Sequence, residues 1–184
     1  MKYLCKNPMF SNSIQEFFDI LKSDYRYDVL DFRTGKSVPN DLYKTLSAYD
    51  VIKYRAGCCW DYCCLEDFIF KTRFGIEDKL FYISADMDGE TKTHTWLSYE
   101  MNDKIYAFEF SFLSIANIHE FNNYDEIFDF YLNHFFYGNY NNDPYIILQY
   151  FQPDSHLTSL QFMTHIYKTG SVIRNYKKYW NERI

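Results

Sequence analysis

The sequence predicts a single α+β domain in which a cysteine-bearing helix packs on an antiparallel sheet. The chain has 184 residues, a length that suits one domain, and 47% of them are hydrophobic, which is enough for a core. The predicted order is a helix, then a second helix with three antiparallel strands, then a mixed region. This order is typical of α+β folds.

A first helix is predicted near the N-terminus. Ser11 or Ser13 can cap it, and it is expected to end near Asp24. Its apolar side is formed by Ile14, Phe17, Phe18, Ile20 and Leu21. Residues 25–50 then form a turn-rich connector, which is predicted to contain a short helix over residues 41–49.

The middle of the chain predicts a helix followed by a small antiparallel sheet. Gly57 breaks the chain ahead of a strong helical pattern over residues 59–71. Three strands are predicted next, over residues 79–86, 93–100 and 104–112. Asn102 and Asp103 favour a two-residue hairpin turn between the last two strands.

The C-terminal part, residues 113–184, is predicted to be a mixed α/β extension. It contains a predicted helix, strand and helix over residues 124–136, 145–151 and 157–168. The tail that begins at Ser171 is expected to form a last helix. No repeat or linker marks a boundary, so we expect one domain built from a helical segment (1–50), a core (52–112) and this extension.

Composition and charge favour a cytoplasmic protein. The net charge is −6, and the sequence lacks a strong basic patch before Lys177 and Lys178, so no nucleic-acid partner is expected. No apolar run reaches the roughly 18 residues of a membrane span. The N-terminus lacks the apolar region of a secretory signal. The abundant Tyr, Phe, Asn, Lys and Ile are typical of an AT-rich genome, such as that of a low-GC bacterium or its phage.

The cysteines do not form a disulfide pattern. They are Cys5, Cys58, Cys59, Cys63 and Cys64. Their odd number and tight spacing favour a reducing compartment, in which Cys63 and Cys64 pack as small hydrophobic residues. A zinc site that combines the clustered cysteines with His94 is an alternative. Structural zinc sites usually draw a second ligand pair from far off in sequence, so we expect neither a metal nor a cofactor.

An ordered set of a cysteine, a histidine and an acid carries the candidate chemistry. Cys59 follows the Gly57 turn at the start of the predicted helix, where the helix N-terminus lowers a thiol pKa. His94 and Glu109 follow in that order. Nucleophilic thiol catalysis needs this combination of a thiolate, a base and a group that orients the base.

The predicted hairpin brings the acid close to the histidine. With Asn102 and Asp103 as the turn, Trp96 faces Glu109, and His94 becomes a diagonal neighbour of Glu109 on the same sheet face. Diagonal neighbours lie about 7–8 Å apart at the backbone, within reach of a Glu side chain. Alternatively, His94 is an ordinary strand residue, and Glu109 is the polar residue of an alternating strand.

Three segments resemble transglutaminase-like domains, a branch of the papain-like thiol enzymes. Residues 57–62, GCCWDY, resemble the Gly-x-Cys-x-Asp-Tyr nucleophile segment of that family. Residues 93–96, THTW, are similar to its His-Thr-Trp strand, and residues 103–109 to the strand that ends in its acid. The resemblance covers residues 52–112, and the acid here is Glu, whereas the family most often has Asp.

The resemblance implies a papain/transglutaminase-like core with Cys59 as nucleophile, His94 as base and acid, and Glu109 as the orienting group. Cys58 falls at a variable position of the motif, so Cys59 is favoured over it. Trp60 and Trp96 are expected to contact substrate. The implied activity is acyl transfer through a thioester, as peptidase, amidase or transglutaminase, on an amide of a protein or peptide and without a cofactor.

Two other functions stay open. A catalytically silent transglutaminase-like domain could bind or inhibit a protein partner, as a phage-encoded effector would. Residues 55–59 also resemble the Arg-x-Gly-x-Cys segment of arylamine acetyltransferases, which transfer an acyl group from acyl-CoA with a similar triad. A reactive Cys59 would distinguish an enzyme from the silent binding domain. Saturable binding of acyl-CoA would identify the acetyltransferase-like alternative.

Overall fold

The computed structural model describes residues 7–87, 90–135 and 144–176, and within these ranges the fold is α+β as predicted. Its helices are α1 (Ile14–Asp24), α2 (Ala48–Tyr54), α3 (Cys59–Ile69), α4 (Tyr124–Phe135) and α5 (Ser159–Thr169). Its strands are β1 (Arg26–Tyr27), β2 (Ala56–Gly57), β3 (Asp78–Met87), β4 (Glu90–Met101), β5 (Lys104–Glu109), β6 (Asn117–Phe121), β7 (Tyr145–Tyr150) and β8 (Ser171–Tyr176). None of these helices combines the length and the apolar character that crossing a membrane requires.

The first two helices are defined by their caps. The Ser13 side chain accepts a hydrogen bond from the Glu16 amide, and α1 ends at Asp24, as predicted. The predicted helix over residues 41–49 is wrong, since α2 starts only after Ser47, which forms a capping box with Asp50. Just before that cap, the Thr45 amide instead donates a hydrogen bond to the carbonyl of Leu157, near the start of α5.

The hairpin between β4 and β5 has the predicted register. Asn102 and Asp103 both adopt positive φ, at 53° and 60°, as a two-residue type I′ turn requires. The ladder then runs from the pair Met101 and Lys104 to the pair Leu97 and Phe108. The structure therefore contains the turn on which the predicted shared sheet face of His94 and Glu109 depends.

The six-stranded antiparallel sheet includes strands from the C-terminal part of the chain. Its order is β6-β5-β4-β3-β7-β8, so strands β7 and β8 of the predicted C-terminal extension complete the sheet beside β3. The predicted last helix is wrong where it is described, because Ser171–Tyr176 pairs with β7. Gly170 allows this path, since a Cβ there would lie 2.6 Å from the Ile166 carbonyl oxygen and 3.1 Å from that of Gln149.

The core lies on both faces of the sheet. Alternate strand residues belong to two clusters, one beneath α1, α3 and α5 and the other beneath α4. Phe108 is fully buried in the first, where its ring contacts Phe17, Phe18 and Phe70 at centroid distances of 5.2, 5.5 and 5.5 Å. It therefore joins β5 to α1 and to the end of α3.

Phe108→Ala should lower the free energy of unfolding by about 3–5 kcal/mol, because it empties a site in contact with three other rings. Urea denaturation followed by tryptophan fluorescence measures the loss. Phe151→Ala is the matched control, since that ring is 74% exposed and its removal should change stability by under about 0.5 kcal/mol. Equal stability of the two variants would contradict the packing described for Phe108.

Candidate active site

Cys59 is the first residue of α3, directly behind a tight turn. Cys58 is the N-cap residue, and its amide donates a 2.9 Å hydrogen bond to the Asp61 carboxylate. Gly57 permits this close turn, because a Cβ there would lie 2.7 Å from the Asp61 Cβ. The local sequence thus fixes Cys59 at the helix N-terminus, where backbone N–H groups lack intrahelical acceptors.

Asp61 attaches the start of α3 to the preceding connector. Its second carboxylate oxygen accepts hydrogen bonds from the Leu46 amide at 2.7 Å and the Tyr43 hydroxyl at 2.5 Å. Burial raises the pKa of Asp61 to about 6, although the three donors oppose this shift because they stabilise the charged form. Asp61 is therefore ionised at neutral pH, and its oxygens are engaged by groups other than the Cys59 thiol.

The surroundings of Cys59 favour its thiolate. The pKa of Cys59 is well below its usual range because the Cys58 thiol hydrogen-bonds to it, and the hydrogen bond and charge of His94 act in the same direction against burial. Burial raises the pKa of Cys58 itself, so Cys58 stays a thiol. These opposite shifts support the choice of Cys59 over Cys58 as the nucleophile.

His94 lies between the thiol and the acid. Its Nε2 is 2.8 Å from Oε2 of Glu109, the contact that the hairpin register predicts. Burial would lower the pKa of His94, but the charge of Glu109 and the hydrogen bonds with Cys59 and Glu109 raise it to about 10. The lowered pKa of Cys59 and the raised pKa of His94 both favour a thiolate–imidazolium pair.

Glu109 is 1% exposed and accepts four hydrogen bonds. Besides His94, its donors are the Ser111 hydroxyl at 3.1 Å, the Phe112 amide at 2.7 Å and the Tyr131 hydroxyl at 2.9 Å. Burial raises the pKa of Glu109, but the charge of His94 and these donors outweigh it and hold the pKa below its ordinary value. A Glu at this position can therefore orient the imidazole as a charged carboxylate.

Two of these donors were not predicted from the sequence. The ring of Tyr131 lies in the core, and its hydroxyl is directed to Glu109. Ser111 lies only two residues beyond Glu109 and donates to it locally. A tyrosine does not by itself signal such a role, because the Tyr131 contact depends on how α4 packs across the sheet.

Two cavities meet at the candidate triad. The larger, of about 620 Å³, is bounded by α5 and by residues 40–43, and both Cys59 and Trp60 line it. The smaller, of about 350 Å³, is lined by His94. Trp60 therefore lines a cavity, and its contact with a substrate stays a prediction.

Trp96, also predicted to contact substrate, is a core residue. It is 1% exposed, and its ring stacks on that of Tyr131 at a centroid distance of 3.9 Å. It lines neither of the two cavities. Trp96 instead packs beside His94, at a centroid distance of 6.4 Å.

The remaining cysteines in the described ranges are free. Burial raises the pKa of both Cys63 and Cys64, so each is a neutral thiol. Among the described residues, no group of three or more His, Cys, Asp or Glu side chains is arranged to hold a metal ion. Cys5, a further ligand considered for zinc, lies outside those residues.

Asp61→Asn should lower the free energy of unfolding by about 2–4 kcal/mol, since the amide cannot accept all three buried donors. Asp154→Asn, at an exposed position, should change it by under about 0.5 kcal/mol. Urea denaturation at pH 7.5, where the Asp61 carboxylate is ionised, compares the two. A stability loss no larger than that of the control would refute the anchoring role of Asp61.

Comparison of the chain with protein-family models, with curated proteins and with solved structures finds no match. Function therefore has to be inferred from the geometry and electrostatics of the site itself.

Proposed function

We propose that the protein is a cysteine-dependent acyl-transfer enzyme with Cys59, His94 and Glu109 as its catalytic triad. The observation that carries this proposal is the continuous buried chain from the thiol through the imidazole to the carboxylate, which opens into two cavities. If His94 were only an ordinary core residue of the strand, a neighbouring thiol with a lowered pKa would not be needed. Perturbed pKa values in a cleft are typical of catalytic sites.

The reaction starts with attack of the Cys59 thiolate on the carbonyl carbon of an amide or ester. The S–C bond forms, and the negative charge moves to the carbonyl oxygen, where N–H groups at the start of α3 can donate to it. His94 gives its proton to the leaving atom as the C–N or C–O bond breaks. Water or an amine then attacks the thioester carbon while His94 accepts its proton, and the C–S bond breaks to release the acyl product and return Cys59 as the thiolate.

The same triad supports membership of the papain/transglutaminase-like superfamily. The resemblance placed the nucleophile on a helix and the other two residues on neighbouring strands. The described helix α3 and strands β4 and β5 are compatible with that arrangement. The cysteine, histidine and acid of the motifs also lie in one site, which supports the resemblance.

Labelling of Cys59 by iodoacetamide should be fast below about pH 7, because the thiolate persists there. His94→Ala should shift the labelling to the pH range of an ordinary thiol, by removing the imidazolium. His165→Ala, a histidine of α5, should leave the profile unchanged. Peptide mass spectrometry identifies the labelled cysteine, and slow labelling of equal rate in all three proteins would favour a catalytically silent binding protein.

Glu109→Gln should also raise the pH at which Cys59 is labelled, since the imidazolium loses the charge that stabilises it. The effect should be smaller than that of His94→Ala because His94 is still present. Glu120→Gln, at an exposed position of β6, serves as the control. Circular dichroism verifies that each variant is folded, and an unshifted profile in the Glu109 variant would exclude Glu109 from the triad.

A further inference from the structure

Building on the proposed function, we propose that the two cavities divide the substrate between them. The larger cavity takes an apolar acyl group, and the smaller one takes a polar leaving group that carries no positive charge. The substrate class is therefore an ester or amide of an apolar acyl chain or apolar side chain, bound across Cys59 and His94.

The orientation follows from which triad residue lines which cavity. Cys59 lines only the larger cavity, whereas His94 lines only the smaller one. The acyl carbon becomes bonded to the Cys59 sulfur, so the acyl group extends into the cavity beside that atom. The proton of His94 goes to the leaving atom, so the leaving group lies on the histidine side.

The junction between the cavities marks the position of the reacting bond. Tyr27 and Thr93 line both cavities. The backbone of Tyr27 is fixed next to the nucleophile turn by the pairing of β1 with β2, in which Tyr27 faces Gly57. The hydroxyl of Tyr27 also interacts with Cys59, so the two cavities meet at the thiol.

The walls of the larger cavity suit an apolar group. Side chains from α3, α5 and the β1 connector provide its apolar surface: Val29, Trp60, Leu160, Met163 and Tyr167. Its lining contains one formally charged residue, Asp41, which disfavours a negatively charged acyl group. A volume of about 620 Å³ exceeds the need of an acetyl group and accommodates a longer chain.

The smaller cavity has a different chemistry. Lys92 is an exposed cation in its lining and Ser111 adds a hydroxyl, beside the rings of Phe112 and Phe135. A cation at this place disfavours a positively charged leaving group or amine, and favours a neutral or anionic one. The larger cavity has Asp41 as its charged residue and the smaller one has Lys92, so the two ends of a substrate are expected to bind in one orientation.

A series of 4-nitrophenyl esters with acetyl, butanoyl and hexanoyl groups tests the acyl cavity. The Cys59 sulfur forms a bond to the acyl carbon, the C–O bond breaks, and 4-nitrophenol leaves with the proton of His94. Stopped-flow absorbance gives the acylation rate constant, divided by that of N-acetylcysteine with the same ester. This normalised rate should rise at least about tenfold from acetyl to hexanoyl, and intact mass should place the acyl group on Cys59.

Two variants should lower the ratio of the hexanoyl rate to the acetyl rate at least about fivefold: Met163→Glu in the wall and Leu160→Lys at its rim. Leu160 is 71% exposed, so its replacement leaves folding intact even where that of Met163 does not. Met101→Glu repeats the same chemical change at the hairpin, on a residue that lines neither cavity, and should leave the ratio unchanged.

The outcomes separate this inference from the proposed function. Acylation of Cys59 with no dependence on chain length, or a ratio that both wall variants leave unchanged, overturns the acyl cavity while the acyl-transfer chemistry stands. No acylation of Cys59 by any ester overturns both.

Discussion

The arrangement of the site depends on one buried carboxylate. An ionised acid inside a protein is strongly unfavourable unless donors surround it, and Glu109 satisfies this need with His94, Ser111, Phe112 and Tyr131. These donors come from β4, from the chain just after β5 and from α4. The requirement to satisfy Glu109 therefore couples the helix on one face of the sheet to the hairpin that carries the histidine.

A second buried acid, Asp61, organises the other side of Cys59. Asp61 connects the start of α3 to Tyr43 and Leu46, and this segment continues into a wall of the larger cavity. Cys59 thus lies between two buried acids: Asp61 fixes the start of its helix, and Glu109 fixes His94. Each is built from groups whose removal would leave a charge or a donor unsatisfied, so the position of the thiol is tightly determined.

The parts of the site that local chemistry determines could be predicted from the sequence. The positive φ of Asn102 and Asp103 sets the hairpin register, and the register brings His94 to Glu109. The contribution of Tyr131 could not be predicted, because it depends on packing between elements that are distant in sequence. The same cause explains why residues 41–49 do not form the predicted helix, since Lys44 there bridges to Thr158, and why the tail forms strand β8, which pairs with β7.

The connectivity of the sheet has a consequence for how the protein is made. Cys59, His94 and Glu109 have all been synthesised once the chain has reached residue 109. Strand β7, the second neighbour of β3, and helix α5, a wall of the larger cavity, come later in the chain. A nascent chain from which β5 has just emerged contains Cys59, His94 and Glu109 but has an incomplete sheet and lacks a wall of the larger cavity. The larger cavity is therefore completed only when the C-terminal strands and α5 have emerged and joined the sheet.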